Sequence, residues 1–244
     1  MTEKAPEILP LGVDAVLVRF ANQLSGEANS AALAFRSAIE SDRPTAITET
    51  ATSLTSVLVR FDPHGADRAR IEEFLGALLA TRDWYTAPMP EGRRLWRIPA
   101  VFGGAHGPQL EQVADAVGVT SDQAIADLAA TELRVMAIGF APGQPYLGFL
   151  GEHWNIPRQT EVNPQVPRGA VVVAVRQVIP FANASPTGWW HIGRTAFRCY
   201  SKAGTPPIPL SAGDSVRFDP VPAADFARLQ ESGPLGGAIS ELIA

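Results

Sequence analysis

Four side chains with complementary binding chemistry are spread over residues 146–194. Arg194 can hold a carboxylate or a phosphate through two parallel hydrogen bonds. Gln177 can recognise an amide or ureido group, because its side chain both donates and accepts. Tyr146 and Trp189 offer flat apolar walls. These residue types predict a pocket for a small amide that carries an anionic group.

Each of these residues also has a structural role open to it. Arg194 can form an ion pair at the start of a strand, Trp189 can be a core aromatic, and Gln177 can satisfy loop backbone. His191 is a general acid/base near neutral pH, a local variation, or a residue that faces a partner. A nucleophile pair of Ser185 and His191 has no support, because such pairs are recognised by geometry and this spacing fixes none.

Metal and nucleophile chemistry lack a recognisable pattern in the chain. Cys199, the single cysteine, stands mid-strand between Arg198 and Tyr200 and is interpreted as a packed, inert thiol. There is no G-x-S-x-G nucleophile elbow. The histidines are scattered over positions His64, His106, His153 and His191. The sequence therefore predicts no metal site and leaves the catalytic residues unknown.

Two loops rich in proline and glycine are expected to frame the pocket. Residues 139–148 exclude a helix because each proline removes a donor and fixes φ, and they follow a strand-like run at 134–138. Residues 184–195 form the second loop, which leads into a predicted strand at 196–200. Strand ends of a barrel meet at its mouth, so the loops should lie together. The candidate binding residues are Pro142, Tyr146, Gln177, Ser185, Gly188, Trp189, His191 and Arg194.

The first 90 residues predict a domain of order β-α-β-β-α. Val-Leu-Val-Arg-Phe occurs at 16–20 and again at 57–61, and its β-branched residues indicate strands that share one burial requirement. Apolar residues at helical spacing predict helices over 22–40 and 67–79, with a strand at 45–50. This order is the larger part of a ferredoxin-like unit.

A connector at 85–92 separates this domain from a second one, at 91–222, of short strands and tight turns. Such a pattern is typical of a closed barrel or a sandwich. Apolar residues 170–175 run without interruption, which predicts burial on both faces. A C-terminal helix and tail occupy 223–244. The predicted strands are 94–102, 134–139, 170–176, 194–200 and 214–219, and the predicted helices are 109–117, 120–130 and 221–229.

Composition restricts the partners and the compartment. The net charge of −5 argues against a nucleic-acid surface. No apolar run is long enough to span a bilayer, and the first residues carry no signal-peptide core. A single cysteine cannot form an internal disulfide, which fits a reducing compartment. A cytoplasmic protein with no nucleic-acid or membrane partner is expected.

Two motifs carry a resemblance to a known family. The segments G-F-x-P-G-x-P-Y-L-G at 139–148 and S-P-x-G-W-x-x-I-G-R-T at 185–195 resemble those of the family of B-type 5-oxoprolinase subunits. That family is also known as allophanate hydrolase subunit 1 and as the sporulation kinase inhibitor group, and it is similar to half of a carboxyltransferase domain. The resemblance covers residues 9–220 and implies α+β architecture: a ferredoxin-like domain followed by a cyclophilin-like β-barrel.

The resemblance also implies a function. It implies one component of a heteromeric, ATP-dependent amidohydrolase that acts on 5-oxoproline or on an allophanate- or urea-type amide. The site would be shared with a homologous second subunit, of the C-type 5-oxoprolinase or allophanate hydrolase subunit 2 kind. ATP is implied for the complex, with no cofactor bound by this chain alone. Apolar loop residues Phe149, Leu150 and Trp154 are candidates for the contact with that second subunit.

Several positions depart from the family pattern. Val178 and Phe181 stand where the family carries hydroxyl side chains, Leu128 replaces a frequent histidine, and Gln109 replaces a frequent acid. Losing polar groups from a site that expects them is costly, so a different ligand is implied. These losses favour an alternative function, a non-catalytic module that inhibits a sensor histidine kinase.

Overall fold

The first of two compact units ends at Glu91, and the second begins at Gly92. The computed structural model describes residues 5–243. The first unit has the order β-β-α-β-β-α, in which the opening strand β1 was not predicted. Its elements are β1 Glu7–Leu11, β2 Ala15–Arg19, α1 Gly26–Ser41, β3 Ile47–Ser53, β4 Ser56–Phe61 and α2 Arg68–Leu79.

The repeated pentapeptide forms two neighbouring strands of the first unit. β2 and β4 are antiparallel, with Val16 opposite Val59 and Val18 opposite Val57. All four valines are buried in one core, while the residues between them face the other side of the sheet. The interpretation of the repeat as two strands with a common burial requirement is confirmed.

Capping residues determine where the two helices begin. The Ser25 side chain accepts a hydrogen bond from the Ala28 N–H, so α1 begins at Gly26 and not at the predicted residue 22. The Asp67 carboxylate accepts from the Arg70 N–H in the same way at the start of α2.

The second unit contains a barrel, three helices and a small additional sheet. Several strands differ in extent from the sequence prediction. Its elements are β5 Arg94–Phe102, α3 Leu110–Val117, α4 Ser121–Ala130, β6 Leu133–Ile138, β7 Pro145–Gly148, β8 Asn163–Val166, β9 Ala170–Ala174, β10 Gln177–Pro180, β11 Ser185–Thr187, β12 Trp190–Thr195, β13 Ser215–Pro220, α5 Phe226–Glu231 and β14 Ile239–Leu242.

Seven of these strands close into a barrel. The order is β6-β13-β5-β12-β9-β10-β7, and β7 pairs back onto β6. All neighbours are antiparallel except β5 and β13, which are parallel. β14 adds to β5, while β8 and β11 form a separate two-stranded ribbon. The protein is thus a mixed α+β chain with a closed β-barrel.

The apolar strand β9 is buried on both faces, as its sequence predicts. Val171 and Val173 belong to the barrel core, together with residues of α3 and α4. Ala170, Val172 and Ala174 belong to a second cluster on the outer face. This outer cluster also contains Val166, Ile179, Phe181 and Trp189, with Tyr146 packed against it.

Several predicted boundaries in the second unit are wrong for a common reason. The strand expected at 194–200 lies earlier, at Trp190–Thr195, and β11 and β7 lie inside segments read as loops. Glycine and proline were taken as turn signals, but here they stand in strands that tolerate them at bulges and edges. The tail contains β14, which pairs with the barrel strand β5. Within residues 5–243 no helix is long and apolar enough to cross a membrane.

Candidate functional site: an amide-lined groove beside strand β12

A glycine-rich loop fixes the position of the first site residue. A Cβ on Gly107 would lie 1.9 Å from the Ile192 carbonyl oxygen, so only glycine allows this close approach to β12. The N–H groups of Gly103 and Gln109 donate to the carbonyl oxygens of Ile192 and His191. Gln109 is therefore held against the start of β12, at the N-terminal end of α3.

Gln109 is the centre of a network of amide side chains. Its Oε1 accepts from the His191 N–H at 2.8 Å and from Asn163 Nδ2 at 3.1 Å. Its Nε2 donates to Gln159 Oε1 at 2.6 Å. Gln159 Nε2 in turn donates to the Trp189 carbonyl oxygen at 2.9 Å. The network joins α3, β8 and β12 through neutral donors and acceptors.

This network forms one wall of a groove of about 740 Å³. The groove is lined by Gln109, Gln112, residues 157–164 and Trp190. Among the described residues that line it, only Arg158 and Glu161 carry charge. Carboxamides present a donor and an acceptor side by side, so they can pair with the N–H and C=O of an amide ligand. The chemistry of the groove suits a small amide.

The structure brings some of the predicted site residues to the amide network. The carbonyl oxygens of Gly188 and Trp189 accept hydrogen bonds from the backbone N–H and the side-chain Nε2 of Gln159, although neither residue lines the groove. The indole of Trp189 packs in the outer cluster with Tyr146, and Arg158 lies over it at 5.2 Å. The two predicted aromatic walls are therefore neighbours in a packed cluster.

The other predicted site residues lie elsewhere on the barrel. Gln177 pairs with Ala174 and Arg194 with Ala170, at opposite ends of β9. Ala170 and Ala174 are four residues apart along β9, which corresponds to about 13 Å. Of the remaining candidates, Ser185 of β11 pairs with Val166 of β8, and Pro142 is exposed in the loop before β7. The structure does not gather the eight candidates into one pocket.

His191 contributes through its backbone, and its imidazole is buried. The side chain is 6% exposed, and its Nε2 has no hydrogen-bond partner within the described residues. Burial lowers the pKa of His191, and the nearby Arg194 lowers it further. A buried, neutral imidazole does not face a partner protein, so the partner-facing interpretation of His191 is wrong. Cys199 is likewise buried, and burial raises the pKa of its thiol to about 12.

The glycine-rich loop and the described His, Cys, Asp and Glu side chains were compared with the requirements of a nucleotide site and a metal site. In the glycine-rich loop, the N–H groups of Gly103, His106 and Gly107 all donate to protein carbonyls, so this loop does not fit the phosphates of a nucleotide. In the part of the chain that the structure describes, no three His, Cys, Asp or Glu side chains form a metal-binding group.

The positions that depart from the family pattern divide into two kinds. Val178, Phe181 and Leu128 are buried in apolar clusters, away from the groove. Gln109, in contrast, is the centre of the amide network. Sequence reasoning missed Gln159 and Asn163, whose only signal was a polar segment between two apolar runs.

The chain matches a known protein family and is similar to proteins of named function. Residues 6–210 match the family described as carboxyltransferase domain, subdomain C and D. The chain is 28% identical over 239 residues to the B-type 5-oxoprolinase subunit of Bacillus subtilis (strain 168), which covers 92% of this chain and 97% of that relative. It is 41% identical over 131 residues to the B-type 5-oxoprolinase subunit of Escherichia coli O157:H7, which covers 54% of this chain and 60% of that relative.

A solved structure shares the fold at low sequence identity. The urea carboxylase of Kluyveromyces lactis matches with a TM-score of 0.75 and 16% identity, over 100% of this chain and 24% of that chain. The barrel unit and the unit before it are thus both part of an architecture seen in a larger protein.

Proposed function

Since the chain belongs to the family of carboxyltransferase subdomains C and D, we propose that it is one component of a heteromeric, ATP-dependent amidohydrolase. The substrate is a lactam or urea-like amide of the 5-oxoproline or allophanate type. The observation that carries the proposal is the groove lined by Gln109, Gln112, Gln159 and Asn163, whose carboxamides match an amide ligand. Relatives named as B-type subunits of 5-oxoprolinase support it.

In this proposal the chain binds and orients the substrate. Donors from the carboxamides hold the carbonyl oxygen of the amide, and acceptors hold its N–H. Because the network is already hydrogen-bonded within the protein, little side-chain ordering is needed when the ligand binds. The glycine-rich loop of this chain does not fit a nucleotide, so we place the ATP site in the assembled complex outside that loop.

The partner is a homologous second subunit, of the C-type 5-oxoprolinase or allophanate hydrolase subunit 2 kind, and the site is composite. The expected contact residues need correction: Leu150 and Trp154 are 1% exposed and pack inside the barrel unit, and Phe149 lies under Arg176. Phe140 is 83% exposed and has a φ of 69°. A strained, exposed aromatic is a better candidate for a partner contact.

The regulatory alternative loses the observation that favoured it. It depended on missing polar groups at Val178, Phe181 and Leu128, and all three side chains are core residues. Their loss therefore leaves the groove intact. For the first unit we retain the ferredoxin-like interpretation, with β1 in place of the strand that would follow α2. For the barrel we retain the cyclophilin-like interpretation. We also propose that the protein is cytoplasmic.

The test is a reconstitution with a matched pair of variants. The chain is co-expressed with its homologous second subunit, and ATP-dependent hydrolysis of 5-oxoproline, allophanate and urea is measured. We expect activity in the complex, and a loss of about tenfold or more in kcat/KM for Gln159→Ala. Gln165→Ala removes a carboxamide that lies outside the groove and should have no effect. A complex inactive on all three amides contradicts the proposal, as does an unchanged Gln159→Ala enzyme.

A further inference from the structure

Three arginines meet at a second place on the barrel unit, away from the groove. Arg168 precedes β9, Arg194 lies near the end of β12, and Arg198 follows that strand. Together with Gln230 of α5 they line a crevice of about 20 Å³. That volume holds about one water-sized group, so a larger ligand would place a single atom in the crevice and extend into solvent.

These guanidinium groups lack counter-ions. Within residues 5–243 none of the three forms an ion pair, whereas Arg97 and Arg228 of the same unit are paired with Asp219 and Asp225. Burial lowers the pKa of Arg194, and the charge of Arg168 lowers it further, as expected for like charges held close together. Bringing cations together without an anion costs free energy that a bound anion would recover.

The backbone holds the arginines in place. A Cβ on Gly169 would lie 2.1 Å from the Thr195 carbonyl oxygen, and Gly169 has a φ of 79°. The Thr195 N–H donates to the Gly169 carbonyl at 2.8 Å, which ties the segment before β9 to the end of β12. Arg168 and Arg194 are therefore carried by backbone that is locked together.

Arg194 is also oriented by its side-chain contacts. Its guanidinium stacks over Phe226 at 5.0 Å, and its Nε donates to the Arg168 carbonyl oxygen at 3.4 Å. Among the described residues its two Nη groups have no hydrogen-bond partner. A planar, oriented guanidinium with free N–H groups is suited to two-point binding of an oxyanion.

We propose that the crevice formed by Arg168, Arg194 and Arg198 is a binding site for a phosphate-class oxyanion, either inorganic phosphate or the phosphoryl group of a monoester. The guanidiniums of Arg168 and Arg194 are close enough to repel each other, and together they match the charge and the several acceptor oxygens of such a group better than those of a single carboxylate. The site goes beyond the proposed amidohydrolase function and does not depend on it.

Calorimetric titration of the full chain tests this site. Inorganic phosphate and phenyl phosphate are titrated separately into the protein in a low-salt chloride buffer. We expect saturable phosphate binding by the wild type, weakened about tenfold or more by Arg194→Gln and by Arg168→Gln. Arg168 is exposed, so its replacement keeps the test valid if Arg194→Gln fails to fold. Binding of both probes indicates a phosphorylated ligand, and binding of phosphate alone indicates the free ion; either supports the site.

The matched control is Arg228→Gln, which removes one positive charge from α5 without touching the crevice. It should leave phosphate binding unchanged. Absence of saturable phosphate binding by the wild type overturns the proposal, and so does equal weakening in all three variants. Neither result depends on amide hydrolysis, so failure of this site is distinguishable from failure of the proposed function.

Discussion

The amide-lined groove and the arginine crevice differ in how their polar side chains are partnered. In the groove, Gln109, Gln159 and Asn163 satisfy one another, and the network is neutral. In the crevice, Arg168 and Arg194 lie close together without an anionic partner. A neutral network whose groups are all hydrogen-bonded is stable without a ligand, and it can exchange one of its internal hydrogen bonds for a hydrogen bond to an uncharged ligand. Unpaired charges, in contrast, are stabilised by a counter-ion.

The largest effect is expected where the groove depends on a single backbone contact. Gly107→Ala places a methyl group against the Ile192 carbonyl, so the loop that carries Gln109 must move away from β12. We expect a loss of roughly 3 kcal/mol in the free energy of unfolding, together with loss of amide binding. Phosphate binding should survive in whatever fraction remains folded. Urea denaturation and calorimetry measure the two effects.

Gly76→Ala is the control for that substitution. Gly76 lies in α2 with nothing within 4 Å of the added methyl group. Alanine in the middle of a helix should stabilise the protein by about 0.5–1 kcal/mol. If Gly107→Ala were as harmless as Gly76→Ala, the loop would not position the groove.

Gly169→Ala is the reciprocal experiment at the crevice. The added methyl group meets the Thr195 carbonyl oxygen, and the φ of 79° disfavours any side chain. A destabilisation of about 1–3 kcal/mol is expected, with phosphate binding lost and amide binding kept. Loss of both ligands at once would show that the two sites are not independent.

A smaller effect is expected from removal of the centre of the amide network. Gln109→Ala leaves the His191 N–H and the Asn163 amide without their acceptor. Leaving such groups unpartnered costs about 1–3 kcal/mol, measurable by urea denaturation. Gln109→Glu keeps the acceptor for the His191 N–H and for Asn163, but it replaces the donor to Gln159 with a charged acceptor; we expect it to be milder because two of the three hydrogen bonds survive. If the two variants were equally stable, the network would not contribute.

Strands and helices were predictable where burial alternates regularly. The alternating valines predict β2 and β4, and Asp67 marks the start of α2. Both signals can be read from the sequence because periodicity and capping are local properties. β1 was missed because its side chains are largely exposed, which removes the alternation. β14 was missed for the same reason, since it consists mostly of exposed residues paired to the barrel.

The candidate site was harder to predict because it depends on long-range contacts. The motif residues Trp189 and Gly188 were found, but they contribute through carbonyl oxygens that accept hydrogen bonds from Gln159, and not through side chains in the groove. Gln159 is 50 positions from Gln109, its hydrogen-bond partner, and no local sequence pattern predicts a contact between residues so far apart. Gln177 and Arg194 were grouped because loops at strand ends were expected to meet at one mouth of the barrel, although barrel register puts the two residues at opposite ends of β9.

The smallest expected effect concerns the pH dependence of stability at His191. Because burial lowers its pKa in the folded state, the unfolded chain binds the proton more readily, and stability should fall as the pH drops below about 6.5. His191→Leu should remove this contribution to the pH dependence. Thermal unfolding from pH 8 to pH 5 measures it; an unchanged acid sensitivity would mean that other groups are responsible.

The most direct test of the amide-binding groove is an NMR titration of its own side chains. The NH₂ resonances of Gln109, Gln112, Gln159 and Asn163 are assigned in the complex with the second subunit and followed while 5-oxoproline is added. Proline serves as the control, because it carries the same carboxylate and ring but no lactam. We predict saturable shifts of these four resonances with 5-oxoproline and none with proline. A complex that hydrolyses 5-oxoproline while all four resonances stay unmoved would contradict the account.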